Sequence, residues 1–330
     1  MKTKNKILIL TGNKDISSTN VMKWLFYLDK SITVIRLNTD ELFENYNIKQ
    51  ECIEAPIIFK KDGFSFSTDE ISVVWSWKLY RSLPDLEKSK KISISSLNKI
   101  NNNIKNEQNV FFQYFLYNLD NYNCYWLNRF TLNELNKLEQ LQVAHKIGLK
   151  IPHTFLKTKL EIADLKSSII TKPMSEVIHI NLGERSYSTF TSRVNEKNIK
   201  SDYTISLFQE EIEKELELRV FYLGNKCYTV AILSQFDTQT TIDFRNYNYS
   251  KPNKMAFYDL PTEITKKINL FMEHFNLQMG SLDFILDKKG NYVFLEVNPS
   301  GQYGFFDYCN IYPDKLIAEY LLKKYYEYNK

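Results

Sequence analysis

The sequence predicts an α/β protein that also contains α+β lobes, and three features support this fold class. Residues 6–11 form a short apolar strand, the next stretch up to residue 28 is helical, and residues 32–37 form a second strand, which makes a βαβ unit. Farther along, residues 281–287 and 292–297 are two strands joined by turn residues, which indicates an antiparallel hairpin. The 330 residues are 43% hydrophobic and 15% aromatic, which is enough apolar material for two or three compact lobes.

Charge and composition exclude several classes of protein. The net charge of +4 is small and comes mainly from lysine, which is not typical of a nucleic-acid-binding protein. No apolar run is long enough to span a membrane, and the polar, basic residues 1–6 do not resemble a signal peptide, so we expect a cytoplasmic protein. The four cysteines and four histidines are dispersed, which argues against disulfides and zinc sites.

The first lobe begins with the βαβ unit. Ser18 and Thr19 are candidate caps for its helix, and the preceding loop contains only Gly12, so it matches neither a dinucleotide fingerprint nor a P-loop. Residues 56–59 and 64–67 flank Asp62-Gly63 and predict a hairpin, and residues 73–77 predict another strand.

A helix follows within residues 84–121, and a strand at residues 124–127 closes the first lobe. Val110, Phe111, Tyr114, Phe115 and Tyr117 give this helix an aromatic stripe, for which packing is the favoured use and a peptide groove the alternative.

The next helix carries leucines at helical spacing. Thr131 is its predicted cap, and it ends near Gly148. The leucines of this helix are Leu132, Leu135, Leu138 and Leu141.

The hairpin near residue 290 carries a candidate metal site. Glu296 and Asn298 lie two residues apart and therefore share a face of their strand. If residues 288–291 form the loop, Asp287 faces Tyr292 and Asp283 faces Glu296. Oxygen ligands of this kind favour Mg²⁺ or Mn²⁺ over zinc. The alternative is a solvated hairpin edge with scattered acids, but Pro299-Ser300-Gly301 stops the strand where the candidate ligands end.

The pattern of Asp283, Glu296, Asn298 and the following Pro-Ser-Gly resembles the metal-binding strands of the ATP-grasp ligases. The resemblance implies an ATP-grasp fold with an N-terminal βαβ pre-ATP-grasp domain, and ATP and magnesium as cofactors. Lys137 and Lys172 match the two lysines that reach the ATP phosphates in this family. On their own, such lysines are usually solvated.

Two further segments match the family between the lysines and the metal strands. Residues 174–187 correspond to the loop that covers the phosphates, although Gly183 is its only glycine, so Ser175, Arg185 or Ser186 are the candidate contacts. Residues 207–212 correspond to the hinge that binds adenine. The hinge residues expected to line that slot are Gln209, Glu210, Glu211 and Ile212.

The string from residue 214 to 225, KELELRVFYLGN, resembles the microviridin-type peptide macrocyclases, also called graspetide synthetases. The resemblance assigns Glu217 to ribose and Arg219 to the γ-phosphate or acyl intermediate; a cross-strand ion pair would explain this pair of residues equally well. Asp243 and Arg245 match the DxR motif of the same enzymes and are expected to be catalytic. An aromatic segment ending at Arg81 extends the resemblance weakly into the first lobe.

Three regions follow from the resemblance: a pre-ATP-grasp domain at residues 1–127, a first ATP-grasp lobe at 128–208, and a second lobe with the metal site at 209–330. A terminal amphipathic helix from residue 313 to 326 is expected to pack against the rest. Within the graspetide synthetases, the sequence resembles the branch found in grasp-with-spasm peptide clusters.

The implied activity is ATP-dependent activation of Asp or Glu side chains in a ribosomally made precursor peptide, followed by ester or amide ring closure with Ser, Thr or Lys. The implied partners are that precursor, with a leader docked at residues 174–204 or near the aromatic helix, and a second copy of the chain in a homodimer. Two rivals remain. One is an ATP-grasp ligase that adds a free amino acid to a protein tail or small acid, and the other is a non-catalytic, nucleotide-dependent peptide-binding module.

Overall fold

The computed structural model describes residues 5–79, 93–129, 135–175, 179–182, 185–188, 191–195, 204–233 and 254–329. Its strands are β1 (Lys6–Thr11), β2 (Thr33–Asn38), β3 (Asn47–Lys49), β4 (Ile58–Lys61), β5 (Phe64–Ser67), β6 (Ile71–Ser76), β7 (Tyr125–Leu127), β8 (Thr154–Lys157), β9 (Ile169–Lys172), β10 (His179–Leu182), β11 (Arg185–Ser188), β12 (Ser192–Arg193), β13 (Ser206–Glu210), β14 (Lys214–Leu223), β15 (Lys226–Leu233), β16 (Lys254–Phe257), β17 (Met279–Asp287) and β18 (Tyr292–Asn298). Its helices are α1 (Ile16–Leu28), α2 (Leu42–Asn45), α3 (Ile94–Asn121), α4 (Lys137–Lys146), α5 (Thr262–His274) and α6 (Pro313–Tyr328).

The chain divides into two compact units. Unit 1 combines Met1–Phe130 with Asp314–Lys330, and unit 2 is Thr131–Pro313. The three regions predicted from the sequence stay a prediction. None of the helices within the described ranges is long and apolar enough to cross a membrane.

Unit 1 is built on a parallel sheet with strand order β2-β1-β6-β7. The predicted βαβ opening is present, and the strand at residues 6–11 has the predicted bounds. Both faces of a parallel sheet are covered, which accounts for the continuous apolar runs in β1 and β6. Residues Ile7 to Leu10 of β1 are fully buried.

The cap of α1 differs from the prediction. Asp15, rather than Ser18 or Thr19, is the N-cap, and its carboxylate accepts a hydrogen bond of 2.6 Å from the Ser18 amide. Asp15, Ser18 and Thr19 lie within five positions and each has a capping side chain, and the aspartate adds a negative charge at the positive end of the helix.

Arg36 fills the loop at the carboxyl end of β1. Its guanidinium donates to the carbonyl oxygens of Gly12 at 2.7 Å and Asp15 at 3.2 Å. The Asn13 amide in turn donates to the Asp40 carboxylate at 3.0 Å. In α/β sheets this edge is the usual place for a ligand. Here the backbone polar groups of this loop are already hydrogen-bonded to the side chains of Arg36 and Asp40.

The predicted hairpin is present as β4 and β5 in a small antiparallel sheet of order β3-β4-β5. Asp62 and Gly63 both have positive φ, 42° and 78°, as a two-residue hairpin turn of the favoured type requires.

The aromatic helix is α3, and three residues of the predicted stripe face the core of unit 1: Phe115 is buried, and Phe111 and Tyr114 are partly buried and pack against the core. Val110 and Tyr117 are 68% and 57% exposed. The packing prediction is therefore confirmed for the other three residues of the stripe and wrong for these two, whose side chains are exposed. The residues that α3 buries in the core of unit 1 are Phe112, Phe115, Leu116 and Leu119, spaced three, one and three apart.

Helix α6 belongs to unit 1 although it comes last in the chain. The hydroxyl groups of Tyr320 and Tyr125 are 2.9 Å apart, and the Lys324 ammonium group lies 5.1 Å from the centre of the Tyr125 ring. The predicted terminal helix therefore packs onto β7, as expected.

Unit 2 contains a four-stranded sheet of order β12-β9-β13-β8, a five-stranded antiparallel sheet of order β16-β15-β14-β17-β18, and the pair β10-β11. Helices α4 and α5 pack on the five-stranded sheet, whose core is formed by residues such as Leu141, Phe271 and Phe294. Helix α4 begins at Lys137 with Asn136 as its N-cap, so the predicted helix start at Thr131 is wrong; Thr131 itself lies outside the described residues. Gly148, with φ of 85°, ends the helix as predicted.

Strands β17 and β18 form the predicted hairpin with a different loop. Leu286, not Asp287, pairs with Tyr292, so the predicted loop was one residue too short. Asp283 nevertheless pairs with Glu296, as predicted. A β-bulge at Leu295 accounts for both results, because it adds one residue to β18 and compensates for the longer loop.

The strand stops after Asn298 in a tight turn. The Gly301 amide donates to the Asn298 carbonyl oxygen at 3.1 Å. A Cβ atom on Gly301 would lie 2.7 Å from the Ser281 Cβ, so only glycine fits where this turn folds back over β17.

Candidate active site

A cavity in unit 2 is lined by both of its larger sheets and by the start of α4. Its walls come from the helix and from β9, β13, β14, β15, β17 and β18. Ten of the residues singled out in the sequence line it: Lys137, Lys172, Gln209, Glu210, Glu211, Ile212, Glu217, Arg219, Asp283 and Glu296. These residues are up to 159 positions apart in the chain, so their convergence is a property of the fold.

The two lysines that line the cavity come from different elements, α4 and β9. Lys137 is the first residue of α4, and its ammonium group lies 3.3 Å from a Glu296 carboxylate oxygen and donates at 3.1 Å to the Ser175 carbonyl oxygen. Lys172 is the last residue of β9 and pairs in register with Leu207 of β13. Both are therefore held at the ends of regular elements, which fixes their positions better than a loop would.

The hinge strand β13 has its side chains committed to structural contacts. The Gln209 carboxamide, 1% exposed, donates to the Thr154 hydroxyl at 2.9 Å. Glu210 accepts a hydrogen bond of 3.0 Å from the His153 amide.

Glu211 is held more tightly still. It accepts two hydrogen bonds from Nε and Nη2 of Arg193, at 2.7 Å and 2.5 Å, and one from the Ser168 hydroxyl at 2.6 Å. The Arg193 hydrogen bonds lower the pKa of the Glu211 carboxyl group, and burial opposes them. Hydrogen bonds to neighbouring residues thus hold the side chains of Gln209, Glu210 and Glu211 in place.

Glu217 and Arg219 share one face of β14, as the two-residue spacing predicts, and each has an ionic partner. The Lys214 ammonium group lies 2.7 Å from the Glu217 carboxylate, and these side chains are 9% and 12% exposed. Arg219 Nη1 lies 2.5 Å from Asp283 Oδ1, across the pair of strands β14 and β17. The Arg219 guanidinium also lies 6.0 Å from the centre of the Phe305 ring.

The candidate metal ligands are only partly together. Asp283 and Glu296 are cross-strand neighbours on the floor of the cavity, with side chains 19% and 20% exposed. Asn298 is the next residue on the same face, but it is not among the cavity-lining residues, and its side-chain oxygen accepts a hydrogen bond of 2.9 Å from the Ser300 amide.

These ligands nevertheless fit a magnesium ion. Two like charges facing each other are stable only with compensating positive charge, which Arg219 and Lys137 supply. Their carboxylate oxygens, with the second lone pair of the Asn298 oxygen, form an all-oxygen set of the kind that Mg²⁺ prefers.

Asp287, also an acid of this hairpin, has a structural role. Its carboxylate accepts hydrogen bonds from the amides of Lys289 at 2.9 Å and Asn291 at 2.8 Å, and from the Lys150 ammonium group at 3.2 Å. Burial opposes ionisation, but these bonds and one from the Asn291 side chain outweigh it and lower the pKa of Asp287 to about 2. The carboxylate therefore stabilises the hairpin turn and does not line the cavity.

The sequence reasoning missed several cavity residues. Lys214 is the only cation there, among the described residues, that had not been assigned a role. No motif marks it, since a lysine in an acidic stretch is usually solvated. Most of the other omissions are apolar wall residues, which no charge pattern can indicate, such as Ile170, Ile232, Ile285 and Leu295.

Several predicted residues lie outside the described part of the chain. These are Arg81, Asp243 and Arg245, together with residues 176–178 and 183–184 of the segment that matches the phosphate-covering loop. Their roles stay predictions.

The geometry alone defines what the cavity can hold. It offers a hinge with apolar neighbours for a flat ring, a carboxylate with a lysine partner for hydroxyl groups, and lysines and paired acids for a polyphosphate with a divalent cation. A nucleoside triphosphate has these three parts.

The comparisons with solved structures agree with this arrangement. A RiPP-associated ATP-grasp ligase of Chryseobacterium gregarium, solved in complex with ADP and a leader and core peptide, superposes with a TM-score of 0.83 at 25% identity, covering 97% of each chain. The macrocyclase MdnC of Microcystis aeruginosa, solved with the precursor peptide MdnA, gives a TM-score of 0.76 at 23% identity over 96% of this chain and 99% of that one. The ATP-grasp ligase PsnB, solved with a minimal precursor, Mg and ADP, gives 0.72 at 17% identity over 97% of each chain.

No protein-family model matches the sequence, and no curated protein matches it either. The predicted fold and the predicted resemblance are both confirmed by the structural neighbours. The chain therefore has the fold of the ATP-grasp ligases and is similar over nearly its whole length to a RiPP-associated ligase and a macrocyclase that were solved with bound peptides.

Proposed function

We propose that this protein activates Asp or Glu side chains of a ribosomally made precursor peptide with ATP and closes ester or amide rings between them and Ser, Thr or Lys. One observation carries the proposal: ten residues chosen from the sequence for nucleotide, metal and acyl chemistry line a single cavity. The precursor peptides bound to similar solved structures support a peptide as the substrate.

The nucleotide is held along the cavity. The hinge, residues 209–212, binds adenine through its backbone, because its side chains are engaged with His153, Thr154 and Arg193. Glu217 accepts hydrogen bonds from the ribose hydroxyls. Lys137 and Lys172 bind phosphate oxygens, and each contributes a compact charge suited to a polyphosphate.

Asp283, Glu296 and Asn298 would hold Mg²⁺, with Mn²⁺ as a possible substitute. The ion supplies neutralisation of negative charge on the phosphates. Arg219, which pairs with Asp283, would supply its guanidinium group to the reacting phosphate.

The chemistry proceeds in two displacements. A carboxylate oxygen of the peptide attacks the γ-phosphorus of ATP, the bond to the β-phosphate oxygen breaks, and ADP leaves. The hydroxyl or amine of the same peptide then attacks the acyl carbon, loses its proton, and expels inorganic phosphate. Each ring therefore removes one water from the peptide in total. Positioning and charge neutralisation supply most of the catalysis.

Arg219, Asp243 and Arg245 are assigned to the second displacement. An arginine stabilises the oxyanion that develops on the acyl carbon, and an aspartate orients or deprotonates the attacking hydroxyl. The active form is proposed to be a cytoplasmic homodimer, with the leader of the peptide docked outside the cavity.

The test is the intact mass of a small peptide encoded beside this gene, after co-expression with the enzyme. Loss of one or more waters, absent with the Glu296→Gln variant, would support intramolecular ring closure. A gain by amino-acid residue masses would instead identify a ligase that adds free amino acids. An unchanged mass, with ATP bound and not hydrolysed, would contradict ring closure and favour the binding module.

A further inference from the structure

The edge of β18 carries a contact that the nucleotide chemistry does not explain. Gln140 lies on α4, is 2% exposed, and accepts through its side-chain oxygen a hydrogen bond of 2.8 Å from the Val297 amide. Its side-chain nitrogen donates at 3.3 Å to the carbonyl oxygen of Leu135, just before the helix. One buried side chain thus joins the helix, the segment that enters it and the strand that carries Glu296.

The bulge explains why the Val297 amide needs this partner. β18 is the last strand in the order of its sheet, and its outer edge is bonded at Phe294, whose amide donates to the Lys150 carbonyl oxygen at 2.8 Å. In a regular strand, amides three residues apart point to opposite edges. The extra residue at Leu295 reverses that alternation, so Val297 also points outward. A buried amide left unbonded there would be costly.

The same bulge positions the acid next to Val297. It places Glu296 opposite Asp283, and Gln140 bonds the residue directly after it. On the helix, Lys137 precedes Gln140 by three residues, so both side chains project toward β18 about one turn apart. The 3.3 Å contact between Lys137 and Glu296 therefore lies beside the hydrogen bond made by Gln140.

We propose that Gln140 is a positioning residue that holds α4 at the bulge of β18 and so sets the position of Lys137 relative to Glu296. The lysine then points to one place in the cavity before any nucleotide arrives. The part of this inference that concerns phosphate binding rests on the proposed function; the part that concerns the lysine does not.

The first test measures Lys137 without a nucleotide. In Gln140→Met the acceptor is lost while side-chain length is kept, and in Gln140→Glu an acceptor oxygen remains. Gln142→Met is the matched control, because Gln142 lies on the same helix and is exposed. Limited acetylation followed by peptide mass spectrometry gives the labelling rate of Lys137, with exposed Lys146 of the same helix as the internal reference.

We expect Lys137 to be labelled about tenfold faster in Gln140→Met, which corresponds to about 1.4 kcal/mol of lost pairing. Gln140→Glu and Gln142→Met should stay near the wild-type rate. An unchanged Lys137 rate in folded Gln140→Met would overturn the inference. If Gln140→Met does not fold, a folded Gln140→Glu that labels at the wild-type rate supports it, and one that labels faster overturns it.

The second test separates positioning from general loosening. Affinities for adenosine and for the ATP analogue AMPPNP with Mg²⁺ are measured in wild type, Gln140→Met, Lys137→Met and the double variant. If Gln140 acts through Lys137, Gln140→Met weakens the binding of AMPPNP by about tenfold and the binding of adenosine little. In the Lys137→Met background, the same substitution should then have no further effect on AMPPNP affinity. Equal losses for both ligands, or additive losses in the double variant, would overturn it. A wild type that binds no AMPPNP would count against the proposed function, and the labelling result would still decide the inference.

Discussion

Replacing Asp287 by asparagine should destabilise unit 2 by an amount that depends on pH. Asp287 is 8% exposed, and its carboxylate accepts hydrogen bonds from the amides of Lys289 and Asn291 and from Lys150. Asparagine keeps one acceptor oxygen at nearly the same place and replaces the other oxygen, which accepts from Lys150 and the Asn291 side chain, by an uncharged NH2 group that cannot accept. The substitution therefore measures the loss of the charge together with these two hydrogen bonds, with little change of volume.

The magnitude follows from the pKa of Asp287, which is lowered from 3.8 to about 2. A carboxyl group whose pKa is lower in the folded state stabilises the fold above its unfolded pKa and loses that effect as the pH falls. The shift corresponds to about 2 kcal/mol at pH 7, of which about half is gone at pH 3. Wild type should exceed Asp287→Asn by that amount at pH 7, and the difference should shrink between pH 5 and pH 3.

The assay is urea unfolding at a series of pH values, read by circular dichroism and by hydrogen exchange of peptides that cover the hairpin. Asp62→Asn is the matched control, because Asp62 also lies in a hairpin turn, and asparagine tolerates its φ of 42°. Equal stability of wild type and Asp287→Asn at pH 7 would refute the reasoning. A difference that stays constant down to pH 3 would show that shape, rather than charge, is responsible.

Three further predictions concern the cavity. Glu296→Gln should abolish ATP-dependent turnover with an unchanged circular dichroism spectrum, because a charged ligand is lost; normal turnover in the folded variant would rule out the metal assignment. Arg245→Ala should bind ATP normally and ligate at least tenfold more slowly, as expected for a residue used only in the second displacement, and full ligation would remove it from the mechanism. Lys214→Met removes the ammonium group that lies 2.7 Å from the Glu217 carboxylate, and it should weaken the binding of ATP more than that of 2′,3′-dideoxy-ATP in a titration. Equal losses of affinity for the two nucleotides would exclude a role at the ribose.

Much of the fold was predictable because local pattern and tertiary structure agree. The βαβ opening, the Asp62-Gly63 hairpin and the terminal helix all follow from short-range signals of turn chemistry and apolar periodicity. Predicted boundaries were wrong where several residues compete for one role. Asp15 is the cap, a role that Ser18 and Thr19 could also have filled. Helix α4 starts at Lys137 because the side chain of Asn136, the residue before it, caps two amides.

The candidate site was predictable in its residue types and less so in its geometry. The pairing of Asp283 with Glu296 was predicted from a loop that is one residue too short, and it holds only because the bulge at Leu295 compensates. The run from Tyr292 to Val297 contains no glycine or proline that would mark a bulge. A bulge of this kind cannot be detected in the sequence of one strand, because it is defined by the pairing with the neighbouring strand.

Gln140 and Lys214 were missed for different reasons. Gln140 is one residue from Leu141 and four from Ala144, so the helical repeat already placed it on the buried side, and this signal could have been used. Lys214 gives no such signal, since its burial depends on Glu217 and on strands that lie far away in the sequence. Partners that are distant in the chain can be found only in the folded structure.

The division of the chain into units has a consequence for how the protein is made. Unit 1 needs the segment Asp314–Lys330, which the ribosome synthesises only after the whole of unit 2. Domains usually fold in the order of their synthesis. Here the first unit to emerge stays without the helix that covers β7 until the second has been completed, so its hydrophobic edge is open during translation. Chaperone binding to nascent chains should therefore persist longest at unit 1, and shortening α6 should lower the yield of folded protein more than its catalytic rate.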